Sequence, residues 1–355
     1  MAFNNNLLEL IGNTPIMKLN RVAKDIPANV FVKLEYFNPS GSYKDRMALA
    51  MVEAAERGDT WNGKKLAPNG IVCDASAGNT APAVAFVAAL KGYKAKLCIY
   101  PPLLRGESTR LKIIDAYAPD VCGCNSPLDY ISEETFEAIP EEEKELAWVI
   151  AGKKHMAVLE ENDDNIVWLD QIYNKYNYIG QKKMGYEIIE QLDGQVDAFG
   201  CATGSGATLL GVALALREKG LDSHIFGIVP QGSESYIRLK KNPAGPGEFD
   251  IADITGEMVE RMNLTKWQTE KSILEVMIEK GLPDQFFQVS AKDARDMANR
   301  LCSEEGIYCG MSSGANVLIA KRIAEQLEPG QNVVTAIVDR RDRYLGEYPE
   351  EVFVV

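Results

Sequence analysis

Apolar positions fall in short unbroken runs, separated by polar turns and by longer stretches with helical spacing. Val30-Phe31-Val32-Lys33-Leu34 is extended and nearly all apolar. A turn marked by Pro39 and Gly41 follows, then an Ala-rich helical pattern over 47–55. Ile71-Val72-Cys73 leads through a polar turn into a helix over 81–90, and 96–100 reads as the next strand. A helix over 107–117 and a strand at 120–122 follow. Further on come a helix at 186–192, a strand at 196–201, a helix at 209–217 and a strand at 224–229. The last third gives a strand at 286–289, a helix at 291–305, a helix opening at Gly310 and a buried strand at 333–338. This alternation predicts an α/β fold of mostly parallel sheets covered by helices. A chain of 355 residues has room for two such lobes.

One stretch breaks the rhythm. Glu133, Glu134, Glu137, Glu141, Glu142, Glu143 and Glu145 crowd the segment from about 125 to 165, with Pro127 and Pro140 as interruptions. It reads as a solvated helical face and as a crossing between lobes.

Composition narrows the function classes. A net charge of −13 argues against nucleic acid or an anionic membrane as partner, though a local site can still bind a small anion. Met1-Ala2-Phe3-Asn4-Asn5-Asn6 lacks the basic start and apolar run of a leader, and no apolar segment is long enough to cross a bilayer. The seven scattered cysteines read as reduced thiols of a cytoplasmic protein. Only His155 and His224 are present, so a histidine metal site or a Ser-His-Asp triad has little material, and no metal is expected.

Four polar turns carry the candidate chemistry. Asn38-Pro39-Ser40-Gly41-Ser42-Tyr43-Lys44-Asp45-Arg46 sets Lys44 at a turn-to-helix junction, with Ser42 able to cap the helix. Lys44 is either a solvated first-turn lysine or a desolvated amine nucleophile. Thr203-Gly204-Ser205-Gly206-Ala207-Thr208 lies between a strand and a helix. Its glycines let amides converge and its hydroxyls suit a phosphate, although a tight turn alone explains the pattern equally well. Ser76-Ala77-Gly78-Asn79-Thr80 suits a carboxylate or plain capping, and Gly310-Met311-Ser312-Ser313-Gly314 is a third such turn. In a parallel sheet these turns gather at the carboxyl ends of strands. A lysine amine, a phosphate cradle, an Asn and a Ser together suggest pyridoxal phosphate held as a Schiff base.

In this order and spacing the chain resembles the fold type II pyridoxal-phosphate enzymes. Within them it is similar to the cysteine synthase and cystathionine β-synthase family. The likeness covers nearly the whole chain. It includes Leu10-Ile11-Gly12-Asn13-Thr14-Pro15, the Lys44 motif, the Asn79 turn, the 204–208 cradle, 310–314, and Asp339 with Arg343-Tyr344-Leu345. The resemblance implies a tryptophan synthase β-like fold. Residues 1–42 plus 160–355 would form a large cofactor-binding domain, and 43–159 a smaller mobile domain. It implies that Lys44 forms the Schiff base and moves the α-proton, and that Asn79 meets the ring hydroxyl. Gly204, Ser205, Gly206, Ala207 and Thr208 would hold the phosphate, and Ser312 would face the pyridine nitrogen. Ser76, Ala77, Gly78, Thr80 and Gln171 would bind the substrate carboxylate. A hydroxyl at the ring nitrogen leaves it largely unprotonated, so loss of a β-substituent is favoured over transamination.

The expected activity is β-replacement on a serine- or cysteine-type amino acid through an aminoacrylate, with O-acetylserine plus sulfide as the default and a homodimer as the assembly. A cysteine-consuming, sulfide-releasing synthase of lanthionine or cystathionine is the alternative. A serine/threonine or diaminopropionate ammonia-lyase, or an idle relative that binds a partner protein, stands further off. Ala77 and Ala81 replace the family's Ser and Gly, and Arg340-Arg341 replace its Ser-Gly, placing bulk and charge on the pyridine side. Asp253 and Glu257 lie where its Gly-rich substrate loop is hard to recognise, and could hold the ammonium of an amino-acid nucleophile.

Overall fold

The computed structural model describes residues 4–76, 78–99, 109–123, 126–129, 132–138, 144–231, 238–241, 249–252 and 271–345. Ala77, Asp253, Glu257, part of the acid-rich segment and the loop at 242–247 lie outside these residues.

Two sheets organise the chain. The larger has six strands in the order β1-β2-β12-β7-β8-β11. These are β1 (Ile16–Lys18), β2 (Asn29–Leu34), β7 (Ala198–Ala202), β8 (His224–Pro230), β11 (Gln285–Val289) and β12 (Asn332–Ile337). All pairings are parallel except β1 with β2. The smaller sheet has the order β5-β4-β3-β6, all parallel. Its strands are β3 (Ile71–Ala75), β4 (Lys94–Ile99), β5 (Asp120–Gly123) and β6 (Ile166–Trp168). A separate antiparallel hairpin pairs β9 (Arg238–Lys241) with β10 (Phe249–Ala252). Because β6 pairs with β3, this strand lies in the smaller sheet, although a boundary at residue 159 places it with the larger lobe.

Helices cover both sheets. They are α1 (Lys44–Arg57), α2 (Thr80–Lys91), α3 (Thr109–Asp115), α4 (Glu133–Glu137), α5 (Lys144–Asn162), α6 (Lys175–Gln191), α7 (Ala207–Glu218), α8 (Ile273–Glu279), α9 (Ala291–Glu305) and α10 (Met311–Ala324). β7 and β12 are wholly buried and β2 largely so, built mostly of Val, Ile, Phe, Ala and Leu, as strands covered on both faces must be, with Lys33, Asn332 and Thr335 as buried polar exceptions. One core joins Val30, Val32 and Val333 to α9 and α10, and a second lies under α6 and α7. A third gathers Met47, Met51, Val72, Val84 and Leu97 in the smaller lobe.

Three expectations need correcting. Helix α6 begins eleven residues before 186, at Lys175. Gly180 and Gly185 look like breakers in the sequence, yet a Cβ at Gly180 would stand 2.6 Å from Arg46 O and one at Gly185 2.6 Å from Ala215 Cβ. They are contact points where α1 and α7 press on α6. The acid-rich segment is only partly a solvated face. Glu133, Glu134 and Glu137 are exposed, but α5 buries Ala151, Met156 and Ala157, and Met156 and Ala157 pack with Cys73 and Trp168. Finally, Cys98 is disulfide-bonded, so the thiols are not uniformly reduced. Cys73, Cys122, Cys201, Cys302 and Cys309 are free. No helix among the described residues is long and apolar enough to cross a membrane.

Candidate active site

Three neighbouring strands of the larger sheet, β2, β12 and β7, end side by side. The Lys44 turn leaves β2, Asp339 follows β12, and the Gly-rich turn leaves β7. In the smaller sheet β3 and β6 are neighbours, and they lead into Ser76 to Thr80 and into Gln171. The sequence turns are therefore brought together by parallel topology.

Lys44 is the first residue of α1 and is partly buried. Ser42 does not cap the helix: Tyr43 occupies the capping position without a side-chain cap, and Ser42 Oγ, one residue earlier, accepts from Lys44 N at 3.3 Å. Around it the turn is fixed at every residue. Ser40 N donates to Asp45 Oδ2 at 2.7 Å, Tyr43 N to Val338 O at 3.0 Å, and Gln181 Nε2 to Tyr43 O at 3.1 Å. Arg46 binds Glu35 and Glu187 at once. The amine itself lies 4.7 Å from the Tyr43 ring centre. Burial pulls its pKa down to about 8, against smaller upward pulls from Cys201 and Asp74. It is not a solvated lysine.

The turn after β7 begins with Thr203 N donating to Ile228 O at 2.7 Å. Gly206 takes φ +79°, a left-handed conformation open to glycine, and starts α7 with no side-chain cap. Ala207 and Thr208 form the buried first turn. Gly204 is exposed and Ser205 partly buried. Uncapped helix amides beside two hydroxyls are the donor set that a phosphate dianion requires. With a desolvated amine at the end of β2, separated from β7 by β12 alone, these residues fit pyridoxal phosphate.

Across the cleft, Ser76 Oγ accepts from Gly78 N at 3.2 Å, and Thr80 Oγ1 donates to Gln171 Oε1 at 2.6 Å. A Cβ on Gly78 would meet nothing within 4 Å, so this loop faces open space. Asn177, which the sequence reading passed over, joins the two halves of the site. Its Nδ2 donates to Gln171 O at 2.6 Å and to Ser205 Oγ at 3.4 Å. It lies mid-pattern in a Tyr- and Asn-rich helix turn, with no local signal to single it out.

Asn79 does not cap α2. Its amide is bound by Asp339 and Arg343. Ser312 is buried in the first turn of α10, and Ser313 Oγ accepts from Val338 N at 3.0 Å. Arg340 and Arg341 do not crowd this side. Arg340 is exposed and pairs with Asp342, while Arg341 donates to Cys309 O at 2.9 Å and Asn299 Oδ1 at 2.7 Å. The arginine that reaches inward is Arg343.

Comparison with known proteins finds relatives along nearly the whole chain. The family described as "Pyridoxal-phosphate dependent enzyme" matches residues 7–339. Cysteine synthase B of Salmonella typhimurium is 33% identical over 355 residues, covering 98% of each chain. Cystathionine β-synthase of Rattus norvegicus is 28% identical over 97% of this chain, which spans 55% of that protein's length. Among solved structures, a hydrogen sulfide-producing enzyme from Fusobacterium nucleatum superposes with a TM-score of 0.73 at 26% identity, covering 97% of this chain and 99% of the other.

Proposed function

This chain belongs to the pyridoxal-phosphate-dependent enzyme family, and on that premise we propose that it converts O-acetylserine and sulfide to cysteine and acetate. Relatives named cysteine synthase at 33% identity support the β-replacement class. The observation that carries the reading is the Lys44 amine, drawn down to about 8 between a phosphate-type turn and a carboxylate-type loop. Bound pyridoxal phosphate supplies an aldehyde that captures amino groups and a ring that withdraws electrons from the amino acid's α-carbon.

The chain's own residues do the rest. The N–H groups at the start of α7, with Ser205 and Thr208, take the phosphate. Ser312, buried in the first turn of α10, would offer its hydroxyl to the ring nitrogen, which would keep the ring a modest electron sink and favour loss of the β-group. The Ser76 hydroxyl, the Thr80 N–H and the amide hydrogens of Gln171, whose Oε1 is taken by the Thr80 hydroxyl, hold the substrate carboxylate. Lys44 Nζ, part of it neutral at neutral pH, takes the α-proton. The Cβ–O bond breaks to release acetate, sulfide forms the Cβ–S bond, and Lys44 returns a proton to Cα.

The sulfide-releasing relative from Fusobacterium favours one second reading, in which cysteine is the donor and a thioether the product. Substrate screening separates the two. Cysteine and acetate formed from O-acetylserine and sulfide support the first. Inertness toward O-acetylserine, with sulfide released from cysteine, overturns it in favour of the second. The same resemblance supports a cytoplasmic homodimer with a mobile smaller domain. Sedimentation at several concentrations tests the dimer, and a monomer at all of them refutes it.

A further inference from the structure

Asn79 is held at both ends of its amide, and we propose that Asp339 and Arg343 are positioning residues that set this amide toward the ring oxygen of the cofactor. The inference rests on the Asn79 role within the proposed function. Asn79 Nδ2 donates to Asp339 Oδ2 at 2.6 Å, and Arg343 Nη1 donates to Asn79 Oδ1 at 2.8 Å. A guanidinium only donates and an ionised carboxylate only accepts. The amide therefore has one permitted orientation. Its nitrogen carries two hydrogens, Asp339 takes one, and the other is left for an acceptor. An anion on the nitrogen side and a cation on the oxygen side also polarise the group.

The neighbours show how firmly this pair is built in. Arg343 is 2% exposed and Asp339 1%. The Tyr344 hydroxyl donates to the same Asp339 oxygen. The Arg110 guanidinium lies 5.3 Å from the Tyr344 ring centre, and Thr109 Oγ1 donates to Leu345 O at 2.5 Å. One turn after β12 thus fastens both the start of α2 and the start of α3. Two glycines make space for it. A Cβ at Gly310 would stand 2.4 Å from Asp339 Oδ1, and one at Gly41 3.2 Å from Arg343 Nη2. Asn79 belongs to the smaller lobe and its two anchors to the larger. The donor is therefore aimed only when the lobes are joined.

A double-mutant cycle tests this. Apo-protein, Arg343→Met, Asn79→Ala and the double variant are titrated with pyridoxal phosphate. Affinity is read by equilibrium dialysis, and the ratio of the visible to the near-ultraviolet absorption band is recorded at saturation. Arg343→Met is expected to weaken binding roughly tenfold and to shift absorption toward the near ultraviolet, where the ring oxygen is protonated. In the Asn79→Ala background the same change is expected to do nothing further. Effects that multiply in the double variant, or an unchanged band ratio in Arg343→Met, overturn the proposal. Should Arg343→Met fail to fold, Arg343→Lys keeps the buried charge with a less well-placed donor and gives the same cycle with a smaller first step. Wild-type protein that takes up no pyridoxal phosphate refutes the function itself. Wild type that does, beside an indifferent Arg343, refutes only the positioning.

Discussion

Arg46 and Glu187 face each other through two hydrogen bonds of 2.7 Å, one from each terminal nitrogen of the guanidinium. Arg46 also grips Glu35 through Nε and Nη2, each at 2.8 Å, and Lys33 Nζ lies 2.7 Å from Glu187. Two cations and two carboxylates balance in a largely buried cluster two residues from Lys44. Replacing Arg46 by Met leaves Glu35 buried without its partner. The expected cost is about 3–5 kcal/mol, read as a lower urea midpoint at unchanged slope. Burial pushes Glu187 up, but Arg46 and Lys33 overrule it and hold the pKa at about 2. A depressed carboxylate stabilises above its ordinary value of 4.5 and loses that contribution as pH falls through about 2. Acid unfolding of Arg46→Met should begin at a higher pH than in the parent.

Lys44 gives a different profile. With its amine at about 8, about a tenth is neutral at pH 7. Capture of pyridoxal phosphate by apo-protein should therefore accelerate with pH and level off above about 8. A rate still climbing toward 10.5, the ordinary lysine value, would contradict the desolvated site. The unfolded chain binds more protons than the folded one between these values, so apo-protein stability should rise across that window. Lys44→Met should flatten the rise.

Asp74 is the penultimate residue of β3 and lies just before the carboxylate loop. Its Oδ1 accepts from Ala75 N at 2.9 Å and Trp168 Nε1 at 3.4 Å. Burial, opposed by Lys153, raises it to about 7. A carboxyl raised on folding stabilises below its ordinary 3.8 and loses that contribution as pH climbs through about 7. Denaturation between these limits should show a falling limb in the parent and none from this group in Asp74→Asn.

Gly314 sets the spacing of α9 and α10. A Cβ there would lie 2.0 Å from Ala294 O and 2.8 Å from Ala298 N, so one helix has to move. Gly314→Ala is expected to cost about 1–3 kcal/mol and, by shifting the first turn of α10 with Ser312, to change the cofactor's absorption. Unaltered stability and spectrum together would refute the close-contact role.

Much of this was legible along the chain because parallel sheets leave a strong local trace. Buried strands such as β2, β7 and β12 are short apolar runs, and each ends in the polar turn that carries chemistry. Lys44 and the cradle could be found that way, whereas Ser312 was marked by its own Gly310–Gly314 turn between two helices. Helix α6 was half hidden, since Gly180 and Gly185 weaken local propensity for the sake of partners far away in sequence. The contact of Asn79 with its anchors was hidden for the same reason. Arg343 lies 264 positions from it, and although the family likeness marks Asp339 and Arg343-Tyr344-Leu345, nothing along the chain ties them to Asn79. Charge and bulk can be read from one chain, but the direction in which a side chain points is set by packing.

The register of β12 has a further consequence, one of time. Asn332–Ile337 pairs with Asn29–Leu34 on one side and with Ala198 and Phe199 on the other. A central seam of the larger sheet is thus the last of the described strands along the chain. The smaller sheet draws its four strands from one continuous stretch and can form while synthesis proceeds. Lys44 waits, because Tyr43 N gains its partner Val338 O, and Ser42 its bridge to Asp339, only when the end of β12 arrives. A growing chain therefore carries its reactive amine unassembled until β12 and the turn after it have been made.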